Sequence, residues 1–391
     1  MFAERTSWNM QPNRFSAALE CARSAGRELL DLTESNPTRV GLEYDTWVLE
    51  PLSTLAALDY RPEAKGLVRA REAVAAYYRE REAQNIPGVD RIVLTTSTSE
   101  AYSFVFRLLC NPDDEVLVPA PSYPLFDFLA SIQDVHLRPY PLIYDHGWHI
   151  DMHSLKQAIG ARTRAVIVVH PNNPTGSFAK EKEIAALGEL CRDRELAIVA
   201  DEVFLDYALD GKSRQSFSSE QQALTFTLSG ISKISALPQM KLAWIVVSGP
   251  EELAREAMGR LEVIADTYLS VSTPVQLAAR EFFSARHSVQ QQLRARVRAN
   301  VSELDRQLIG GCTPLDIEGG WYAVLRVPVT RSDEELAIEL LDDGVIVHPG
   351  HFYDFPNDGY LVVSLICEPE KFAEGIERVL KRAAGPSLRS G

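Results

Sequence analysis

Short apolar runs alternate with helical segments between residues 91 and 248, and this alternation restricts the fold more than any other feature of the chain. The runs at residues 164–169 and 196–200 are apolar almost throughout, which is typical of strands buried on both faces of a parallel sheet. An amphipathic helix is predicted between them, over residues 180–194. The sequence therefore predicts an α/β fold, with a mostly parallel sheet covered by helices on both faces.

The length of 391 residues and a hydrophobic content of 46% allow two unequal domains. We expect residues 1–44 to form an N-terminal arm and part of a small domain, and residues 45–273 to form the large domain. Residues 274–391 are expected to supply a long linking helix and the rest of the small domain. Its strands are predicted near residues 318–327, 345–347 and 360–366.

Composition argues against several classes of protein. Forty basic and 54 acidic residues give a formal net charge of −14, which disfavours a nucleic-acid surface. No apolar run of about 18 residues occurs, so no membrane span is expected. The N-terminus has no signal pattern, and the five cysteines are scattered with neither a CxxC pair nor zinc-like spacing. We therefore expect a reduced, cytoplasmic protein without a metal site.

The most informative local feature is Lys233, which lies between two apolar segments and near the small hydroxyl residues Ser229 and Ser232. Burial would lower the pKa of this lysine and provide a nucleophilic amine, although a solvated lysine in a loop is the alternative. Two further motifs lie upstream, each at the end of a β-branched apolar run. They are His-Pro-Asn-Asn-Pro-Thr-Gly at residues 170–176 and Ala-Asp-Glu-Val-Phe at residues 200–204.

In this order, the three motifs resemble those of the class I/II aminotransferases, fold-type I enzymes that use pyridoxal 5′-phosphate (PLP). The resemblance extends from about Asn36 to Ser364. It implies a seven-stranded type of sheet in a large PLP-binding domain and a smaller α+β domain. It also implies a homodimer with shared active sites, and transfer of an amino group between an amino acid and a 2-oxo acid.

The resemblance implies catalytic roles for three residues. Lys233 would form a Schiff base with the cofactor and shuttle a proton at the substrate α-carbon. Asp201, at the end of a buried strand, would pair with the pyridinium nitrogen, and Tyr123 would stack on the ring. A helix cap or a structural salt bridge is the alternative for Asp201, and a packed core position is the alternative for Tyr123.

Further residues are expected to hold the cofactor. A strand that delivers hydroxyl residues to a helix N-terminus at residues 97–100 is a suitable phosphate site, although a plain helix cap would look the same. The resemblance implies that Asn173 donates to the phenolic oxygen of PLP and that Tyr60 reaches the phosphate of the other subunit. The complete cofactor set is Ser97, Thr98, Tyr123, Asn173, Asp201, Ser229, Lys233, Lys241 and Tyr60.

The chain departs from the family pattern at two important positions. Phe204 replaces a tyrosine that would donate to the phenolic oxygen. Val362, counted back from Ser364, replaces the arginine that would bind the substrate α-carboxylate through a two-pronged contact. Asn36, Arg39 and Arg14 are the candidate substrate-binding residues, Asn36 because its Asn-Pro loop is expected to cover the site. At Lys241, a lysine takes the place of a common phosphate-binding arginine.

Other functions remain open from the sequence. A lyase or decarboxylase acting at the α-carbon could use the same site, and the missing arginine also permits a transaminase whose substrate lacks the α-carboxylate. A PLP-sensing domain of a transcription regulator is disfavoured by the acidic balance and by the short segment before residue 36. The sequence does not identify the substrate side chain or the amino acceptor.

Overall fold

The computed structural model describes residues 1–81 and 88–385. The β-strands of these residues, numbered in chain order, are β1 (Leu30–Asp31), β2 (Ile92–Thr95), β3 (Glu115–Ala120), β4 (His136–Tyr144), β5 (Trp148–Ile150), β6 (Thr163–Val169), β7 (Ala197–Asp201), β8 (Thr225–Gly230), β9 (Ala243–Ser248), β10 (Thr313–Pro314), β11 (Tyr322–Arg326), β12 (Val345–Ile346), β13 (His348–Pro349) and β14 (Tyr360–Ser364).

The α-helices are α1 (Arg14–Ser24), α2 (Val68–Arg81), α3 (Thr98–Leu109), α4 (Phe126–Ser131), α5 (Met152–Ala158), α6 (Glu181–Asp193), α7 (Ile231–Ile234), α8 (Glu251–Tyr268), α9 (Thr273–Leu277), α10 (Ala279–Gln307), α11 (Asp333–Asp342) and α12 (Pro369–Ala384). None of the helices in these two ranges is long and apolar enough to cross a membrane.

The largest sheet has eight strands in the order β2-β9-β8-β7-β6-β3-β4-β5. Its five central strands, β8, β7, β6, β3 and β4, are parallel, whereas β9 and β5 run antiparallel to their neighbours. The prediction of a mostly parallel α/β sheet is confirmed. The sheet has one strand more than the seven expected, because the short β5 forms a hairpin with β4 at the edge.

The alternation of side chains along β6 shows why the strand is apolar at nearly every position. Ala165 and Ile167 pack into a core on one face of the sheet together with α3 and α8 residues. Val166 and Val168 pack into a second core on the other face, against α6. Since both faces are covered, each position of the strand loses contact with water, and its side chain contributes to the burial of apolar surface.

Two smaller sheets lie in the remainder of the described chain. One is antiparallel, with the order β10-β11-β14-β13, and the other pairs β1 with β12 in parallel. The second sheet connects the first 44 residues to the C-terminal part of the chain, and α1 packs on α11 in the same region. The domain boundaries remain a prediction, and residues 386–391 of the predicted last domain lie outside the described residues.

The long linking helix differs from its prediction in one respect. The structure divides it into α9 and α10, with Ala278 between them. The backbone N–H of Ala278 donates to the carbonyl of Pro274, which closes α9 before α10 begins. Helical periodicity continues through this break, so the pattern alone predicted a single helix.

Candidate active site

A cavity of about 160 Å³ lies at the edge of the large sheet where the parallel strands end. Five of the predicted site residues line it, namely Thr98, Tyr123, Asn173, Asp201 and Lys233. Each comes from a different strand end, because these residues end or follow β2, β3, β6, β7 and β8. Ligands of open α/β sheets bind at this edge, so its position alone makes the cavity a candidate active site.

Lys233 lies on α7, directly after β8. Its carbonyl accepts a hydrogen bond of 2.7 Å from the Tyr207 hydroxyl, which fixes the backbone of the short helix. The Lys233 Nζ atom is 4.8 Å from the ring centroid of Trp321 and 5.4 Å from that of Phe204. Burial lowers the pKa of Lys233 to about 8, with the charge of Asp201 acting in the opposite direction. This amine therefore loses its proton more readily than an exposed lysine.

The close approach of neighbouring strands explains the glycine that precedes α7. A Cβ atom on Gly230 would lie 2.9 Å from the Cβ of Ala243 and 3.1 Å from the carbonyl oxygen of Leu242. Any larger residue would push β8 away from β9. Gly230 therefore allows the end of β8 to stay in register and to deliver Lys233 to the cavity.

Asp201 is the last residue of β7, and its carboxylate accepts two hydrogen bonds. The Tyr102 hydroxyl donates to Oδ2 over 3.1 Å, and the Val203 backbone N–H donates to Oδ1 over 3.2 Å. Burial raises the pKa of Asp201 to about 6, although these hydrogen bonds and Lys233 lower it. Within residues 1–81 and 88–385, no cationic side chain forms an ion pair with this carboxylate. A buried carboxylate of this kind is suited to a cationic ligand group.

The N-terminus of α3 faces the cavity through Thr98 and Ser99. Ser97 is the N-cap, and its hydroxyl accepts from the Glu100 backbone N–H over 3.1 Å. The Glu100 carboxylate accepts from the Thr96 backbone N–H over 2.7 Å, one residue before the N-cap. Ser97 itself does not line the cavity, because its hydroxyl serves the helix. The helix dipole and the free N–H groups still favour an anion at this end.

Asn173 and Phe204 form another part of the cavity wall. Asn173 is buried, and its Oδ1 atom has no hydrogen-bond partner in the described chain. The side-chain amide therefore has unused hydrogen-bonding capacity, which a bound ligand would satisfy. Phe204 takes the position at which the family resemblance leads us to expect a tyrosine, and it presents an apolar ring edge instead of a donor.

Three of the predicted phosphate-binding residues lie outside the cavity wall. The Ser229 hydroxyl donates to the Glu202 carbonyl over 3.3 Å, so it is used within the fold. Lys241 is exposed in the turn before β9. Tyr60 is 75% exposed and lines a separate surface pocket with Arg61. The structure of a single chain does not bring these three side chains to Lys233.

The predicted substrate residues also lie elsewhere. Asn36 caps a short turn, since its Oδ1 atom accepts from the Thr38 N–H and hydroxyl. Arg39 is exposed, and Arg14 forms an ion pair of 3.1 Å with Glu334. None of the three lines the cavity, because local hydrogen bonding or charge pairing holds Asn36 and Arg14 away from it.

Several functional candidates were not predicted from the sequence. Tyr102, which donates to Asp201, lies four residues after Thr98 on α3, and this helical spacing could have indicated it. Ser35 and Tyr322 line the cavity, and Trp321 lies beside Lys233. Trp321 and Tyr322 follow a pair of glycines, but nothing in that pattern indicates which strand end they face. No group of side chains suited to a metal ion occurs among the described residues.

Comparisons with known proteins point to one family. The family described as Aminotransferase class I and II matches residues 59–379. The glutamate-pyruvate aminotransferase AlaA of Haemophilus influenzae is 27% identical over 355 residues, covering 87% of this chain and 87% of that protein. The alanine aminotransferase of Pyrococcus furiosus shares the fold with a TM-score of 0.87 at 20% identity, covering 97% and 98% of the two chains. An aminotransferase of Escherichia coli gives a TM-score of 0.86 at 22% identity, covering 98% of each.

Proposed function

Because this chain belongs to the class I and II aminotransferases, which are PLP-dependent enzymes, we propose that the cavity around Lys233 is its active site. The observation that carries the proposal is the position of a buried amine with a lowered pKa beside a buried carboxylate at the sheet edge. We propose that the site binds PLP and transfers an amino group from an amino acid to a 2-oxo acid.

The residues present fit this cofactor. The N-terminus of α3, with Thr98 and Ser99, is suited to the phosphate. Asp201 has no ion-pair partner in the described chain and is suited to the protonated ring nitrogen. Asn173 lines the cavity and could donate from its side-chain NH₂ to the phenolic oxygen, and Tyr123 can cover one face of the ring. When bound, PLP would supply an aldehyde for the amine and an aromatic ring that withdraws electrons from the substrate α-carbon.

Each side chain then has a defined task. Lys233 would hold the cofactor aldehyde through its Nζ atom, and once the substrate amine had replaced it, the freed amine would move the proton between the substrate α-carbon and the former aldehyde carbon of the cofactor. Asp201 would hold the ring nitrogen of the cofactor in its protonated form, because a buried carboxylate strongly favours a neighbouring positive charge. Burial lowers the pKa of Lys233, whereas the rings of Trp321 and Phe204 beneath Nζ favour its protonated form.

The names of the relatives suggest which substrates to test first. Glutamate-pyruvate aminotransferase and alanine aminotransferase both describe relatives that cover most of this chain. We therefore propose L-alanine and L-glutamate as amino donors, with pyruvate and 2-oxoglutarate as the matching acceptors.

The proposal extends to assembly and location. An exposed Tyr60 is available to a second subunit, and we propose a homodimer in which Tyr60, Ser229 and Lys241 contribute to phosphate binding in a shared site. Free cysteines without disulfides in the described chain support a reducing, cytoplasmic environment.

Borohydride reduction of the PLP-loaded protein tests the assignment of Lys233. Peptide mapping should place the pyridoxyl group on the peptide that contains Lys233. The Lys233→Ala variant should lose the label, whereas Lys182→Ala, which removes an exposed lysine of α6, should keep it. A label on another lysine in the wild-type protein would refute the assignment.

A further inference from the structure

Tyr322 and Ser35 form a pair of hydroxyls at one end of the cavity. Both line it, and the Ser35 side chain is close enough to the Tyr322 hydroxyl to lower its pKa. Tyr322 is the first residue of β11 and lies opposite Ser364 of β14. The Ser364 hydroxyl donates to the Glu34 carbonyl over 2.6 Å, so the segment that carries Ser35 is tied to the same sheet. The pair is therefore held by two independent elements.

The charges around the cavity are few. Among the described residues that line it, Lys233 is the only cation and Asp201 the only anion. Val362 is buried on β14 opposite Val324, and the Ala323–Val363 pair separates these two residues from the Tyr322–Ser364 pair. Residues 1–81 and 88–385 supply no guanidinium to the cavity wall. A substrate group placed there meets hydroxyls and apolar side chains.

We propose that the hydroxyls of Tyr322 and Ser35 form the subsite for the α-carboxyl group of the substrate, and that this subsite accepts charged and uncharged carboxyl groups alike. This inference rests on the proposed function. Thr98, Asp201 and Asn173 are assigned to the cofactor, and Lys233 must stay free to move a proton. Besides Ser232, which adjoins Lys233 on α7, Tyr322 and Ser35 are the hydroxyl residues of the described wall without an assigned cofactor role.

The charges near the subsite agree with binding of a substrate group that need not be negatively charged. Burial raises the pKa of Tyr322 to about 12, so its hydroxyl remains a donor throughout the neutral range. The charge of Glu34 also raises this pKa, and its carboxylate accepts from the Asn36 backbone N–H over 2.8 Å. A nearby negative charge reduces the preference for a carboxylate over a neutral amide. The enzyme should therefore accept amino-acid amides as well as amino acids.

The test compares L-alanine with L-alaninamide as amino donors to the PLP-loaded enzyme in single-turnover experiments. Both should convert the cofactor, with values of kcat/KM within about tenfold of each other. In Tyr322→Phe, kcat/KM should fall about tenfold or more for L-alanine but only about threefold or less for L-alaninamide, because a hydrogen bond to a charged group is the stronger one. Ser35→Ala should show the same pattern, with a larger loss of kcat/KM for L-alanine than for L-alaninamide.

Two control variants accompany this comparison. Tyr360→Phe changes a tyrosine at the far end of β14 and should leave both substrates unaffected. Arg39→Ala tests whether that exposed arginine binds the carboxylate instead. Cofactor absorbance and the Tm of each variant report folding, and Ser35→Ala carries the test if Tyr322→Phe does not fold.

The outcomes are distinguishable. The subsite would be overturned if Tyr322→Phe and Ser35→Ala each reduced kcat/KM equally for both substrates, or if neither variant reduced it. A loss of kcat/KM specific to L-alanine in Arg39→Ala would also overturn it. L-Glutamate and its α-amide replace the alanine pair if glutamate reacts faster. If wild type converts no amino acid, the proposed function fails, and the subsite fails with it.

Discussion

Lys233 and Asp201 line one cavity, and burial shifts the pKa values of both away from their usual ranges. The pKa of Lys233 falls to about 8 and that of Asp201 rises to about 6. In the neutral range both groups are largely charged, and each charge stabilises the other across the cavity. Because each pKa depends on the charge of the other group, a substitution at one residue should shift the pKa of the other.

We expect Asp201→Asn to lower the pKa of Lys233 below about 8, because the substitution removes the negative charge that raises it. A larger fraction of the amine is then unprotonated at neutral pH. The rate at which the apoprotein captures PLP, measured against pH, should reach its midpoint at a lower pH than in wild type. Asp210→Asn, which changes an exposed aspartate near by, serves as the control. An unchanged or higher midpoint in Asp201→Asn would contradict the electrostatic coupling.

At the scale of secondary-structure elements, the site depends on five strand ends that meet at one edge of the large sheet. This part could be predicted from the sequence, since buried parallel strands are apolar throughout and the motifs follow them directly. The order and type of these elements are confirmed, and Asn173, Asp201 and Lys233 do converge on one cavity.

The part of the wall made by Ser35 and Tyr322 could not be predicted in this way. Their proximity depends on the register of β11 with β14, which places Tyr322 opposite Ser364, and on the hydrogen bond from Ser364 to Glu34. The hydrogen bond from Ser364 to Glu34 joins positions 330 residues apart, and no local periodicity encodes it or the strand register. Asn36 and Ser97 were predicted to reach the site, but their side chains instead accept hydrogen bonds from nearby backbone N–H groups.

At the scale of the whole molecule, the cavity lies where the small antiparallel sheet and the N-terminal segment approach the large sheet. Tyr322 comes from the small sheet, Ser35 from the N-terminal segment and Lys233 from the large sheet. The wall is thus assembled from three parts of the chain. Tyr60 is exposed on the single chain, and we proposed above that it completes the site of a second subunit.

Complementation between inactive subunits tests the shared site. In a heterodimer of Tyr60→Phe and Lys233→Ala subunits, one site receives an intact Tyr60 and an intact Lys233 from different chains. Random mixing should restore about a quarter of the wild-type sites, because half of the dimers are mixed and each has one intact site. Activity of the mixture that equals the average of the two parents would show that the sites are not shared.

The central claim is that this enzyme transfers an amino group through Lys233, and one single-turnover measurement tests it most directly. The PLP-loaded protein is mixed with excess L-glutamate or L-alanine, and both the cofactor and the released products are quantified. We predict one equivalent of 2-oxo acid and one of pyridoxamine phosphate per site, and neither product with Lys233→Ala. Release of ammonia or carbon dioxide, with the cofactor still recovered as PLP, would contradict the account and indicate a lyase or a decarboxylase.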